Sequence, residues 1–91
     1  MEITNVKVRL VEEHPTIRAT ASVVFDNCFV VHDLKIIEGR KGIFVGMPGR
    51  VMKGLDDEVN RVDIVHPINQ EFRDVISNTV MKEYWKKKIL V

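Results

Sequence analysis

The sequence predicts an α+β fold: an antiparallel β-sheet meander of four to five strands with a C-terminal α-helix packed on it. Three observations predict it. The stretch from Val23 to Arg50, VVFDNCFVVHDLKIIEGRKGIFVGMPGR, holds three apolar runs rich in Val, Ile and Phe. Asp26-Asn27 and Glu38-Gly39-Arg40-Lys41-Gly42 separate these runs, and short polar segments of this kind reverse the chain between strands. Before this stretch apolar residues alternate with polar ones; after Asn69 they recur at three-to-four spacing.

The elements follow in order. From Ile3 to Val11, Val6, Val8 and Leu10 point one way and Lys7 and Arg9 the other, the period of a half-buried strand. Glu12-Glu13-His14-Pro15 breaks it, because Pro15 has no ladder hydrogen bond to donate. Ile17, Ala19, Ala21, Val23 and Phe25 then alternate with Arg18, Thr20, Ser22 and Val24, giving a second strand hairpinned to the first. The small Ala19 and Ala21 leave room for a helix to lie close.

Strand three runs from Cys28 to Glu38. Regular alternation puts Cys28, Val30, His32, Leu34 and Ile36 on one face and Phe29, Val31, Asp33, Lys35 and Ile37 on the other. Both faces are apolar in part, so a helix is expected over one and a second copy of the chain over the other. Phe29, Val31 and Ile37 are the expected dimer interface. Ile43-Phe44-Val45 makes a short fourth strand, ended by Gly46-Met47-Pro48-Gly49. Arg50 to Asn60 has no sustained period, and Gly54-Leu55-Asp56-Asp57-Glu58 predicts an exposed, mobile loop. Arg61 to His66 returns as a short edge strand through Val62 and Ile64, closed by Pro67.

Asn69 is a good N-cap, with Glu71 and Asp74 in the first turns. Phe72, Val75, Ile76, Thr79, Val80 and Tyr84 form the apolar stripe of a helix running to about Lys87. At ~1.5 Å per residue it reaches roughly 27 Å, enough to cross a four-stranded sheet.

Ninety-one residues without internal repeat or linker predict one domain, residues 1–91. That length is near the lower end for a comfortable core, so self-association is expected to help. A single cysteine excludes an internal disulfide and zinc-type spacing. Glu2, Lys7 and Arg9 interrupt any leader-like apolar run, and none approaches the ~20 residues of a membrane span. A cytoplasmic chain is expected, with no membrane partner. The formal charge of +1 is too balanced to signal a nucleic-acid partner by itself, so any attraction to phosphate must come from local clustering.

Catalytic patterns are weak. His32-Asp33 with His66 are the candidate metal or acid-base cluster, but neighbours on a regular strand point to opposite faces and cannot converge on one ion. Cys28 reads as a small core residue, since no basic neighbour activates it. No Ser/His/Asp order, phosphate-cradling Gly-rich loop or paired-carboxylate motif is present. No enzyme activity, metal, cofactor or small-molecule substrate is therefore expected. Two basic groups remain. One is Arg40 and Lys41 in the hairpin turn, with Arg50 and Lys53 after Met47-Pro48. The other is Lys82, Lys86, Lys87 and Lys88 beside Tyr84 and Trp85, a mixture suited to phosphate contact and base stacking. Lysines in a last helical turn also complement the helix dipole, and loop arginines are usually solvated.

Several segments together resemble one family. Met1-Glu2-Ile3-Thr4, Val24 to Asp33 (VFDNCFVVHD), Ile37-Glu38-Gly39, Gly42-Ile43-Phe44-Val45 with Met47-Pro48, and Asp63 to Asn69 (DIVHPIN) look like the stage V sporulation protein G family, SpoVG. The resemblance spans almost the whole chain. It implies a bacterial cytoplasmic regulator tied to sporulation, septation and cell division, and gene expression. It also implies an α+β homodimer that binds DNA, and RNA in some members. The family's Met-Pro is followed after one residue by a basic pair associated with nucleic-acid contact. Here Arg50 keeps the first position, Val51 stands at the second, and Lys53 is the nearest replacement. The expected function is a non-enzymatic, homodimeric nucleic-acid-binding regulator using the two basic groups. The alternative is a protein-protein interaction module of the division or sporulation machinery, using a strand edge or sheet face.

Overall fold

In a computed structural model of the protein, residues 1–54 and 59–90 are described, without the side chains of Met52, Lys53, Val59, Asn60 and Leu90. Four strands, β1 (Ile3–Leu10), β2 (Ile17–Phe25), β3 (Phe29–Gly39) and β4 (Gly42–Gly46), form an antiparallel sheet in the order β1-β2-β3-β4. The predicted meander is therefore present. Two further strands, β5 (Gly49–Lys53) and β6 (Val59–Asp63), pair with each other in a separate sheet. The chain ends in helix α1 (Gln70–Leu90), which at ~1.5 Å per residue is about 31 Å long.

The tight turn after β2 works through two residues that tolerate left-handed backbone. Asp26 and Asn27 have φ of 51° and 53°, and Cys28 N donates to Phe25 O at 3.0 Å. Cys28 is exposed in this turn, which corrects its reading as a core residue. The same turn holds the N-terminus: Asp26 N donates to Glu2 O at 2.8 Å, and Glu2 N donates to Asp26 Oδ1 at 2.9 Å.

Strand three departs from regular alternation. Ala21 pairs with Leu34 but Val23 pairs with Val31, so Ser22 opposes both His32 and Asp33. This is a bulge, with Asp33 at φ 65°. Its consequence is a change of face. Val31 now packs beside Leu34 and Ile36 toward the helix, while Lys35 and Ile37 stay on the outer face. The two apolar sets that regular alternation assigns to opposite sides are largely gathered on one. The outer face is polar in its middle, so the reason for expecting a second apolar face falls away.

The core lies between this inner face and α1. Val8, Ala19, Ala21, Val23, Phe25, Leu34 and Ile36 from the sheet meet Ile76, Val80 and Tyr84 from the helix, with Met47 at the margin. The fully buried Ala19 and Ala21 supply the room that the sequence predicts for a close helix. Asn69 caps the helix as expected, its Oδ1 accepting from Phe72 N at 2.7 Å. Asn69→Ala is expected to cost about 1 kcal/mol of stability, measurable by urea unfolding with an unchanged m-value.

Strands β5 and β6 take up Arg50 to Lys53 and Val59 to Asn60 of the predicted loop, and β6 pairs with β5 where the sequence predicts a strand at the sheet edge. In this arm the described side chains Arg50, Val51, Arg61, Val62 and Asp63 are exposed, Val51 by 64%. Where neighbouring residues of both orientations are exposed, as Arg50 and Val51 are, apolar and polar residues need not segregate and the signal of a half-buried strand is weak. Among the described residues the arm packs on neither the main sheet nor α1 to any extent. The radius of gyration, 14.0 Å, exceeds the roughly 12 Å of a compact chain this long, as a projecting arm requires. Most of the predicted mobile segment, Leu55 to Glu58, lies outside the described residues.

Candidate nucleic-acid interface

The predicted cations occupy several places. Arg40 and Lys41 form the exposed turn between β3 and β4, whereas Arg50 is exposed on the arm that starts beyond the other end of β4. That strand spans about 16 Å at ~3.3 Å per residue, so these groups are not neighbours. Lys53 closes β5, with its side chain outside the described residues.

The four helical lysines also diverge. Lys87 turns to the sheet and donates from Nζ to the carbonyl of Val8 at 2.6 Å. Lys88 lies with Nζ 5.7 Å from the ring centroids of both Tyr84 and Trp85. Lys82 and Lys86 are exposed one turn apart, with Lys86 Nζ 3.9 Å from Glu83 Oε1. Trp85 is 46% exposed and stands edge-on to Tyr84, with ring centroids 5.0 Å apart.

The three residues assigned to a dimer interface do not share a surface. Phe29 and Val31 line an apolar groove of about 440 Å³ at the N-terminal end of α1, together with Met47, Pro48, Phe72 and Ile76. Ile37 lies on the outer face beside Phe44 and Gly46. The groove has a greasy rim in which Phe29 is 60% and Ile68 94% exposed.

Three cations left out of the predicted groups meet on the outer sheet face. Arg9 pairs with Thr20 and Thr20 with Lys35, one row across three strands, while Lys7 pairs with Ser22 in the adjacent row. Lys7 and Arg9 are exposed and Lys35 is half-buried. A depression of about 480 Å³ opens there, lined by Lys7, Arg9, Ser22, His32, Asp33 and Lys87. The signal was present in the sequence, since Lys7 and Arg9 alternate with the core-facing residues of strand one. Their relation to Lys35 depends on strand register and the bulge in β3.

The bulge also corrects the geometry assumed for His32 and Asp33, which line this same depression rather than opposite faces. His32 Nδ1 is 2.8 Å from Ser22 Oγ, whereas His66 Nδ1 is 2.9 Å from Pro67 O on a different part of the molecule. His14 Nδ1 accepts from the amides of Thr16 and Ile17 at 3.1 and 2.9 Å, fixing the turn between β1 and β2. Among the described residues, no three His, Cys, Asp or Glu side chains are placed to hold a metal ion, and no helix is long and apolar enough to cross a membrane.

Comparison with known proteins bears on what this arrangement is for. The SpoVG family model matches residues 1–86. The chain belongs to the SpoVG family. It is 48% identical over 84 residues to a protein of Caldicellulosiruptor saccharolyticus, covering 92% of this chain and 91% of that relative. It is also 48% identical over 88 residues to a Thermoanaerobacter sp. protein, covering 97% of this chain and 91% of the relative. A Clostridioides difficile relative is 45% identical over 84 residues, covering 92% and 87%. All three SpoVG relatives are named "Putative septation protein SpoVG".

Proposed function

We propose that this SpoVG-family protein is a non-catalytic cytoplasmic regulator that binds DNA and RNA as a homodimer and acts in septation, sporulation and gene expression. The carrying observation is the half-exposed Trp85 on α1, with the exposed Lys82, Lys86 and Lys88 within one turn to either side of it. An aromatic ring among solvent-facing cations is what base stacking and phosphate contact require together. The names of the relatives support the septation role. The groove rimmed by Phe29 and Ile68 supports self-association, because a second copy covering it removes apolar area from water. Pairing doubles every cation, which offsets a net charge of only +1.

If about four phosphates are neutralised per dimer, log affinity falls against log salt with a slope near −3.6. Anisotropy titrations between about 50 and 200 mM salt are then expected to lose roughly 150-fold in affinity for duplex DNA and roughly 50-fold for single-stranded RNA, whose slope is ~0.7 per phosphate. Salt-independent binding, or affinity unchanged in Lys82→Ala/Lys86→Ala, overturns the proposal. Light scattering is expected to give twice the chain mass at micromolar concentration. The same groove supports the rival reading of a protein-interaction module. A protein partner retained after nuclease treatment, with no nucleic-acid binding at physiological salt, would establish that rival.

A further inference from the structure

We propose that the outer face of the four-stranded sheet is a binding surface for single-stranded RNA. The proposal rests on the nucleic-acid reading above and gives it a second surface, whose main cations lie outside the basic groups that the sequence singles out. The helix covers the inner face of the sheet, and among the described residues no element packs on the outer one. Lys7, Arg9 and Lys35 stand on that face within two adjacent rows of the ladder. Neighbouring strands are ~4.8 Å apart and alternate residues along a strand ~6.7 Å, so the three charges fall within one short stretch of backbone. Among the described residues none of the three is in an ion pair, whereas Arg18 is held by Glu38 at 2.6 Å.

The face also carries a ring. Phe44 pairs with Ile37 two residues along from the Lys35–Gly46 pair, so it shares the side of Lys35, and it is 52% exposed. Ile37 lies over Gly46, and the ring of Phe44 reaches over Gly39. A phenyl ring on the same open sheet face as these cations is a platform on which a base stacks while its phosphates meet the charges. A duplex keeps its base faces stacked and out of reach, which selects a single strand.

The choice of RNA comes from Asp33. Asp33 lines the same depression as Lys7 and Arg9, and a carboxylate there repels phosphate but accepts a hydrogen bond from a ribose 2′-hydroxyl. Lys87 reaches the depression from the helix at the edge of β1, so the face is continuous with the lysine-bearing end of α1.

The test uses the full chain and a fluorescent single-stranded RNA, with DNA of the same sequence alongside. In Lys7→Ala/Arg9→Ala/Lys35→Ala the salt slope for RNA is expected to become shallower by about 2 per bound chain, at ~0.7 per phosphate. Affinity at about 0.15 M salt then falls roughly 50-fold, by the same relation. Phe44→Ala is expected to weaken binding about tenfold with no change of slope, which separates stacking from charge. Asp33→Asn is expected to narrow the preference for RNA over DNA. The replaced side chains lie on an uncovered face, so thermal unfolding is expected to stay within a few degrees of the parent, and that measurement guards against misfolding.

A folded triple variant with unchanged slope and affinity overturns the assignment. If Lys82→Ala/Lys86→Ala lowers binding while the triple variant does not, the general nucleic-acid reading stands and the sheet-face assignment fails. If the parent chain binds no nucleic acid, both fall. Equal binding of RNA and DNA by the parent overturns the assignment to RNA.

Discussion

Tyr84→Ala is expected to destabilise the protein by about 3–5 kcal/mol, the range for removing a large buried aromatic. Tyr84 is 2% exposed and is among the largest fully buried side chains, lying where α1 crosses the sheet. A chain of this length has a total stability of roughly 5–14 kcal/mol, so the loss takes a large share of it. At ~4–8 °C per kcal/mol, the thermal midpoint is expected to drop by about 12–40 °C. Tyr84→Phe should cost far less, because the hydroxyl makes only a long 3.4 Å contact with Lys88 Nζ. Thermal melts followed by far-ultraviolet circular dichroism decide the matter. A Tyr84→Ala midpoint within a few degrees of the parent would show that the helix does not depend on this ring.

The second large effect is local. Gly49 opens β5 opposite Asp63, and a Cβ built there comes within 2.6 Å of Val62 O and 3.2 Å of Val62 C. Those are backbone atoms of the partner strand, so no rotamer change relieves the clash. Gly49→Ala must push the base of the arm apart, at about 1–3 kcal/mol as for other overpacked sites. The same base is closed by Ile64 N and Val65 N, which both donate to Pro48 O, at 2.7 and 3.2 Å. Pro48 O accepts from Ile64 N, so the ladder bonds alternate to Arg50 and Val62, and amide exchange at these two is expected to accelerate at least tenfold while protection at Ala21 and Ile36 stays unchanged. Uniform acceleration through both sheets would mean that the arm is not an independent unit. Unchanged exchange in the arm would show that the backbones at Gly49 are farther apart than described.

The parts of the fold legible in the sequence are those where one face of an element is buried. Val6, Val8 and Leu10, then Ala19, Ala21 and Val23, alternate because burial selects every second residue; Ile76, Val80 and Tyr84 recur because a helix buries one stripe. Two features escaped for opposite reasons. In the arm the adjacent Arg50 and Val51 are both exposed, so they carry no contrast to detect. In strand three the contrast is strong but its phase changes at Asp33, and regular alternation therefore assigned Val31 and Leu34 to different sides. Aspartate is one of the few side chains that tolerates a φ of 65°, which in hindsight marks it as a place where a strand can slip.

The candidate site was legible only as local runs. Lys82 to Lys88 and Arg40-Lys41 stand out because their charges are adjacent in sequence. Lys7, Arg9 and Lys35 meet through pairings across β2, between residues as far apart as Lys7 and Lys35. Composition cannot reveal such a group, since Arg18 is nearby in sequence yet is neutralised by Glu38. The apolar groove at the start of α1 was likewise invisible, being assembled from Phe29, Met47, Ile68 and Phe72 on separate segments.

The ammonium of Lys87 sits on Val8 O, along the outermost strand on one side of the main sheet. A charged side chain placed there obstructs the docking of another backbone, a common guard against open-ended polymerisation. Nothing equivalent is seen at β4 among the described residues. Growth of the main sheet is thus hindered at β1 and left open at β4, so a backbone added to it meets an ammonium on one margin and bare amides and carbonyls on the other.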